Sequence, residues 1–134
     1  MGVYLRILLL LAAAFAWLRS AIQTSTMRNT VISAYTGAAT HAALYSTVPS
    51  GTAGTELAGG SPAYARRALA WGAPNGTAST VTPTAFDVPS GATVAGAGVH
   101  SAITAGNYLD GASVTSQAFA SQGTYTLTLT YTQT

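Results

Sequence analysis

The side chains able to do chemistry in this chain are few, and their spacing limits what they can do. Glu56, Asp87 and Asp110 are the only acids, His41 and His100 the only histidines, and lysine and cysteine are absent. Without cysteine there is no disulfide, no thiolate nucleophile and no thiolate metal site. Without lysine there is no P-loop. Two histidines alone do not make a typical structural zinc site, and the acids stand singly, outside any calcium-loop pattern. A paired-carboxylate glycosidase would need two of these three acids, and nothing in the sequence selects a pair. A Ser/His/Asp set can be drawn from either histidine, Asp87 or Asp110 and many serines, so no set stands out. The nearest motif is "GGSPA" at residues 59–63, close to the G-x-S-x-G nucleophile elbow. Ala63 replaces its last glycine, and Pro62 removes the backbone N–H that should serve the oxyanion hole. "GAGVHS" at residues 96–101 lacks the final glycine and the βαβ setting of a dinucleotide fingerprint. These patterns predict a non-enzymatic protein with no catalytic, metal or cofactor-binding residue.

What remains is electrostatic. Glu56 lies ten residues before the pair Arg66-Arg67, with "GGSP" between them. Adjacent residues on a strand face opposite sides, so one of the two arginines points to the core or to an interface. A buried guanidinium needs a carboxylate or several carbonyls. Glu56 is the first candidate and Asp87 the second, so Glu56 is expected to pin its loop to the body through an arginine. The alternatives are two solvated arginines or a contact with a neighbouring subunit.

The rest of the composition is neutral. Only 6% of the 134 residues are charged, against about 25% in ordinary globular domains. Thr, Ala, Gly and Ser take their place, giving a surface with little electrostatic resistance to association. Arg6, Arg19 and Arg28 lie near the start. From Asn29 onward two arginines face three acids, a formal charge of −1. That body offers no basic patch for nucleic acid.

The elements that must position these residues divide the chain into three parts, with residues 27–134 forming one domain. Residues 1–26 are an apolar leader, "MGVYLRILLLLAAAFAWLRSAIQTST". Its apolar run would span roughly 18 Å as a helix, short of a ~30 Å bilayer core. The leader fits a signal peptide with a poor cleavage end, an extension upstream of a start at Met27, an assembly helix or a membrane anchor. Residues 27–62 read as a short helix and a long Gly/Ser/Thr loop. Ala and Leu around His41 permit the helix, although Thr36-Gly37 interrupts it.

Residues 63–134 read as the β body. Over residues 63–71, Ala65, Arg67, Leu69 and Trp71 share one face. Asn75-Gly76 signals a type I′ hairpin turn; with Thr77 it is also formally a glycosylation sequon. "STVTPTAFDVP" reads as one edge or bulged strand around Pro83, with Phe86 and Val88 inward. "TVAGAGVHSA" is a Gly-rich strand, "YLDG" a brief one, and "TYTLTLTYTQT" a single strand with alternating apolar and threonine faces. Strands about every ten residues predict a mainly β fold: a single antiparallel β-sandwich, jelly-roll or Ig-like, with a short N-terminal helix.

The stretch "LYSTVPSGTAGTELAGGSPAYARRALAWGAPNG" resembles small virion proteins of tailed bacteriophages, commonly labelled phage tail fibre proteins, with similar ones serving as head decoration proteins. The residues carrying the likeness are Gly54-Thr55-Glu56, Gly59-Gly60, Ala63-Tyr64-Ala65-Arg66, Trp71 and Phe86-Asp87-Val88-Pro89-Ser90-Gly91. "FASQGTYTLT" fits the closing strand of that pattern. The likeness spans residues 42–128 and departs from the family at "LYSTVPSG", where the family's His and Asp are missing. It implies a non-enzymatic β-sandwich located in the virion. Its partners would be copies of itself and other virion proteins, such as major capsid or tail proteins, with no nucleic acid or small-molecule substrate and no membrane expected for the mature body. Glu56, Arg66, Arg67, Trp71, Phe86 and Asp87 are then structural. The competing reading is a secreted or membrane-anchored β-sandwich binding module, with Tyr35, Tyr45, Tyr64, Trp71 and Tyr108 as a possible sugar-stacking platform.

Overall fold

A computed structural model of the chain describes residues 24–133. The apolar run of the leader lies outside the described residues. Over the described residues the fold is mainly β, with one helix and several antiparallel sheets. In chain order the elements are α1 (Ser25–Ala38), β1 (His41–Tyr45), β2 (Arg67–Ala68), β3 (Ala78–Val81), β4 (Phe86–Val88), β5 (Thr93–His100), β6 (Tyr108–Ala118), β7 (Gly123–Tyr125) and β8 (Leu129–Thr132). A four-stranded sheet has the order β2-β1-β5-β6, and β3-β8 and β4-β7 form two ribbons.

Helix α1 is rich in threonine and β-branched residues, which are indifferent helix formers, so its ends and its packing must hold it. Thr24 caps it: its Oγ1 accepts from Met27 N at 3.2 Å and its carbonyl from Arg28 N at 2.8 Å. Ala39 N closes the other end on Tyr35 O at 2.8 Å. Tertiary contacts complete it. Ile32 is fully buried, Arg28 Nε donates to Gly76 O, and Gly76 N donates to Asn29 Oδ1 at 2.8 Å. The helix runs across the expected division between residues 26 and 27.

The segment around His41 is a strand, not the expected helix. All five residues of β1 pair with β5, from His41↔His100 to Tyr45↔Gly96. Four of the five are buried, and a strand in the middle of a sheet accommodates that continuous apolar run. After β1 the chain doubles back. Ser46 N donates to Thr55 O at 2.8 Å and Leu57 N to Leu44 O at 3.1 Å, which places Glu56 opposite Tyr45.

Other expected strands divide where the backbone cannot continue. Pro83 lies in the break between β3 and β4, and these two pair with different partners, β8 and β7. The "TYTLTLTYTQT" run divides in the same way into β7 and β8 across residues 126–128. The 63–71 alternation shortens to the two residues of β2. The Asn75-Gly76 turn is present, but not as a type I′ hairpin: Gly76 takes a φ of 91° and Asn75 does not adopt positive φ. The strand before it pairs with β1 and the strand after it with β8. "YLDG" is the start of the 11-residue β6, which lies at the open end of the sheet order.

The core gathers Ala42 and Leu44 of β1, Val94 and Ala97 of β5, Phe86 and Val88 of β4, and Leu57 and Leu127 from the loops. Phe86 and Val88 point inward and are fully buried. Burying a side chain of this size contributes about 1.5–3 kcal/mol. The opposite face of β1 and β5 is also covered. A Cβ on Gly98 would sit 2.8 Å from Tyr45 Cε2 and 2.8 Å from Asp110 O, so only glycine leaves room for the Tyr45 ring to cross the sheet.

Candidate functional site

Two places concentrate polar and aromatic groups: a network centred on Glu56, and a cleft between β6 and β8.

The doubling back of residues 55–57 onto β1 sets Glu56 beside Arg66. The pair is bidentate, with Arg66 Nε to Glu56 Oε1 at 2.9 Å and Nη2 to Oε2 at 2.8 Å. The fork geometry makes this one of the stronger kinds of charge-assisted bond. Arg66 Nη1 also donates to Ala102 O at 3.0 Å and Ala105 O at 2.7 Å, so the same side chain fixes the turn after β5. Tyr64 Oη accepts from Leu44 N at 2.8 Å and donates to Glu56 Oε1 at 3.3 Å, and its ring stacks on Phe86. Burial pushes the Glu56 carboxyl up, but the hydrogen bonds and charge of Arg66 together outweigh it and hold it below the usual carboxylate range. Burial pushes the Tyr64 phenol well above its ordinary value.

The second arginine has its own partner: Arg67 Nη2 meets Asp87 Oδ2 at 2.7 Å. The adjacent arginines therefore take different acids. Arg67 Nε is buried without a hydrogen-bond partner. Trp71 is half-buried, and its Nε1 donates to Ala39 O at 2.7 Å, tying the segment after β2 to the end of α1.

The other chemistry-bearing side chains are held apart from one another. His100 is buried; its Nε2 pairs with the Tyr45 hydroxyl and its Nδ1 has no partner. Burial and the nearby Arg66 charge, partly offset by Glu56, push its pKa below the usual histidine value. Burial, with the Glu56 charge opposed by Arg66, pushes Tyr45 up to about 12. His41 Nδ1 meets Thr40 Oγ1 at 2.9 Å. Among the described residues, neither imidazole is hydrogen-bonded to a serine or a carboxylate, the two contacts a nucleophile–base–acid relay requires. Ser61 sits in an exposed loop clamped by Gln122: Ser61 N donates to Gln122 Oε1 at 3.2 Å and Gln122 Nε2 to Pro62 O at 2.9 Å. No group of three or more His, Cys, Asp or Glu among the described residues could hold a metal ion, and no described helix is long and apolar enough to cross a membrane.

The cleft has a volume of about 470 Å³. Its walls are small and apolar, Ala97 and Ala112 on one side and Leu127 and Leu129 on the other. Three aromatic rings and Asp110 line it as well. Tyr35 and Tyr131 stack with centroids 3.8 Å apart and planes at 10°, and Trp71 meets Tyr35 edge-on at 6.1 Å. Tyr35 Oη donates to Asp110 Oδ2 at 3.3 Å, and burial with the Asp110 charge pushes its pKa well up. Of the five aromatic residues expected to form a platform, only Tyr35 and Trp71 line this cleft. Tyr45 is fully buried beside His100, Tyr64 packs on Phe86, and Tyr108 packs edge-on against Tyr45 and His100. Tyr131 is the member that the sequence reading omitted; its place in the β8 alternation was the available signal. Gln122 carried no such signal.

Compared with protein-family models, curated proteins and solved structures, the chain finds no match in any of the three.

Proposed function

We propose that this chain is a non-enzymatic structural protein of a tailed-phage virion, an exterior decoration or tail fibre-type component that docks on capsid or tail proteins. One observation carries the reading: the charged side chains of the described residues are engaged by partners within the chain, with only Asp110 among them exposed. Glu56 takes Arg66, Asp87 takes Arg67, Arg28 donates to Gly76 O, and Asp110 accepts from Tyr35 and from its own following amide. The surface left outside is mostly uncharged, with apolar side chains such as Val48 and Ile103 among its hydroxyl and methyl groups, and many identical copies can share it with little charge repulsion. The residues that carry the resemblance serve the same end. Glu56, Tyr64 and Arg66 fasten one loop, Gly60 and its neighbours fit against Gln122, and Phe86 and Val88 fill the core.

The finer architecture belongs to the same proposal. The four-stranded sheet forms one layer and the β4-β7 and β3-β8 ribbons the other, giving a single antiparallel β-sandwich, jelly-roll or Ig-like, around the shared apolar cluster. Weak contacts then add up through copy number rather than through one strong site. Quantitative mass spectrometry of purified phage particles is the test. The chain is expected in many copies per particle; its absence from particles, with recovery only in the culture supernatant, would overturn the reading.

A further inference from the structure

We propose that the cleft between β6 and β8 is a binding site for a neutral saccharide. This does not rest on the virion reading: a site of this kind would work equally on a particle or on a free protein. The volume of about 470 Å³ falls in the range of small-molecule sites. The lining offers three things that a sugar ring uses together. The Tyr35–Tyr131 pair and Trp71 supply flat aromatic surface for the apolar face of a pyranose. Asp110, exposed and with Oδ2 only long-bonded to Tyr35, retains acceptor capacity for hydroxyl groups. The small walls at Ala97 and Ala112 leave the space itself.

Charge and ring geometry select the ligand class. Among the described residues Asp110 is the single charged residue lining the cleft, so a phosphate or carboxylate ligand would meet repulsion with no described cation beside it to offset it. A quaternary ammonium needs aromatic faces arranged around one point. Here two rings lie face to face at 3.8 Å and the third meets one of them edge-on, which makes a wall rather than a cage. The wall is also rigid. The Trp71 indole N–H is already committed to Ala39 O and the Tyr35 hydroxyl to Asp110, so little ordering remains to be done on binding.

The test uses the full chain on an array of neutral, acidic and aminated glycans. Neutral hits are then titrated by isothermal calorimetry, with tetramethylammonium as a separate probe. At least one neutral oligosaccharide is expected to bind. Asp110→Asn should weaken it roughly ten-fold, the difference between a hydrogen bond to a charged acceptor and one to a neutral amide. Trp71→Ala should weaken it as well. Tyr35→Phe, which removes a single hydroxyl from the rim, provides a milder second variant should Trp71→Ala fail to fold by circular dichroism. Absence of binding to every neutral glycan, binding that Asp110→Asn and Tyr35→Phe leave unchanged, or preference for acidic glycans or tetramethylammonium would each overturn the proposal.

Discussion

Replacing Glu56 by glutamine separates a structural ion pair from a solvated one. Removing one partner of a fully buried pair costs about 3–5 kcal/mol, and an exposed pair is worth about 0–1 kcal/mol. This pair lies between those limits, with side chains 11% exposed for Arg66 and 28% for Glu56. The amide keeps one acceptor oxygen but loses the second contact and leaves the guanidinium charge uncompensated. An intermediate cost of about 2 kcal/mol follows, equivalent to a fall of roughly 1 M in the urea midpoint for a chain of this size. The pH dependence makes the experiment diagnostic. The folded Glu56 carboxyl titrates below its ordinary value near 4.5. Its contribution is therefore fully present above that value and is lost as pH falls through the lower folded pKa. Urea unfolding followed by circular dichroism should show a constant gap between parent and variant above the ordinary carboxylate range, closing as pH falls below it through the lower folded pKa. Equal midpoints at neutral pH, or a gap that persists undiminished in acid, would refute the reasoning.

Three other outcomes follow from the same contacts. Gly98→Ala should destabilise the fold by about 1–3 kcal/mol, because a methyl group there strikes the Tyr45 ring and the Asp110 carbonyl; a thermal melt equal to the parent's would contradict this. Asn75→Ala should cost about 1–2 kcal/mol, since Asn75 Oδ1 accepts from both Thr77 N and Ala78 N, and chemical denaturation reads it directly. Burial, with the nearby Arg66 charge, sets the folded pKa of His100 below the ordinary value near 6.5. Stability should then decline as pH drops from that value toward the lower folded one, and His100→Gln should flatten this part of the pH–stability curve.

The sequence made the β character legible wherever period two coincided with real pairing. Phe86 and Val88 alternate across Asp87 and point into the core, as their pattern indicates. It was silent where pairing is non-local. Nothing in "HAALY" distinguishes a short helix from a strand, because Ala and Leu serve both. The decision comes from β5, more than fifty residues away, which offers five backbone partners. The uninterrupted alternation of "TYTLTLTYTQT" hid a change of partner: β7 pairs with β4 and β8 with β3, and the pattern of faces is the same on either side of the break. Charge scarcity made the site easier to read than the fold. With three acids and two adjacent arginines in the body, few pairings were available. The polar groups that complete the network, Tyr64, Gln122 and the Tyr45–His100 contact, depend on how loops close, and single residues in loops carry no periodic signal.

Under the proposed docking role, the paired charges also govern how a partner would be met. Of the six charged residues in the described body, four neutralise each other in two ion pairs. Little long-range field is left to guide an encounter, so collisions with a partner proceed at the unsteered rate of about 10⁵–10⁶ M⁻¹s⁻¹. Screening by added salt then has almost nothing to screen, and attachment through this body should be as good in brine as in dilute buffer.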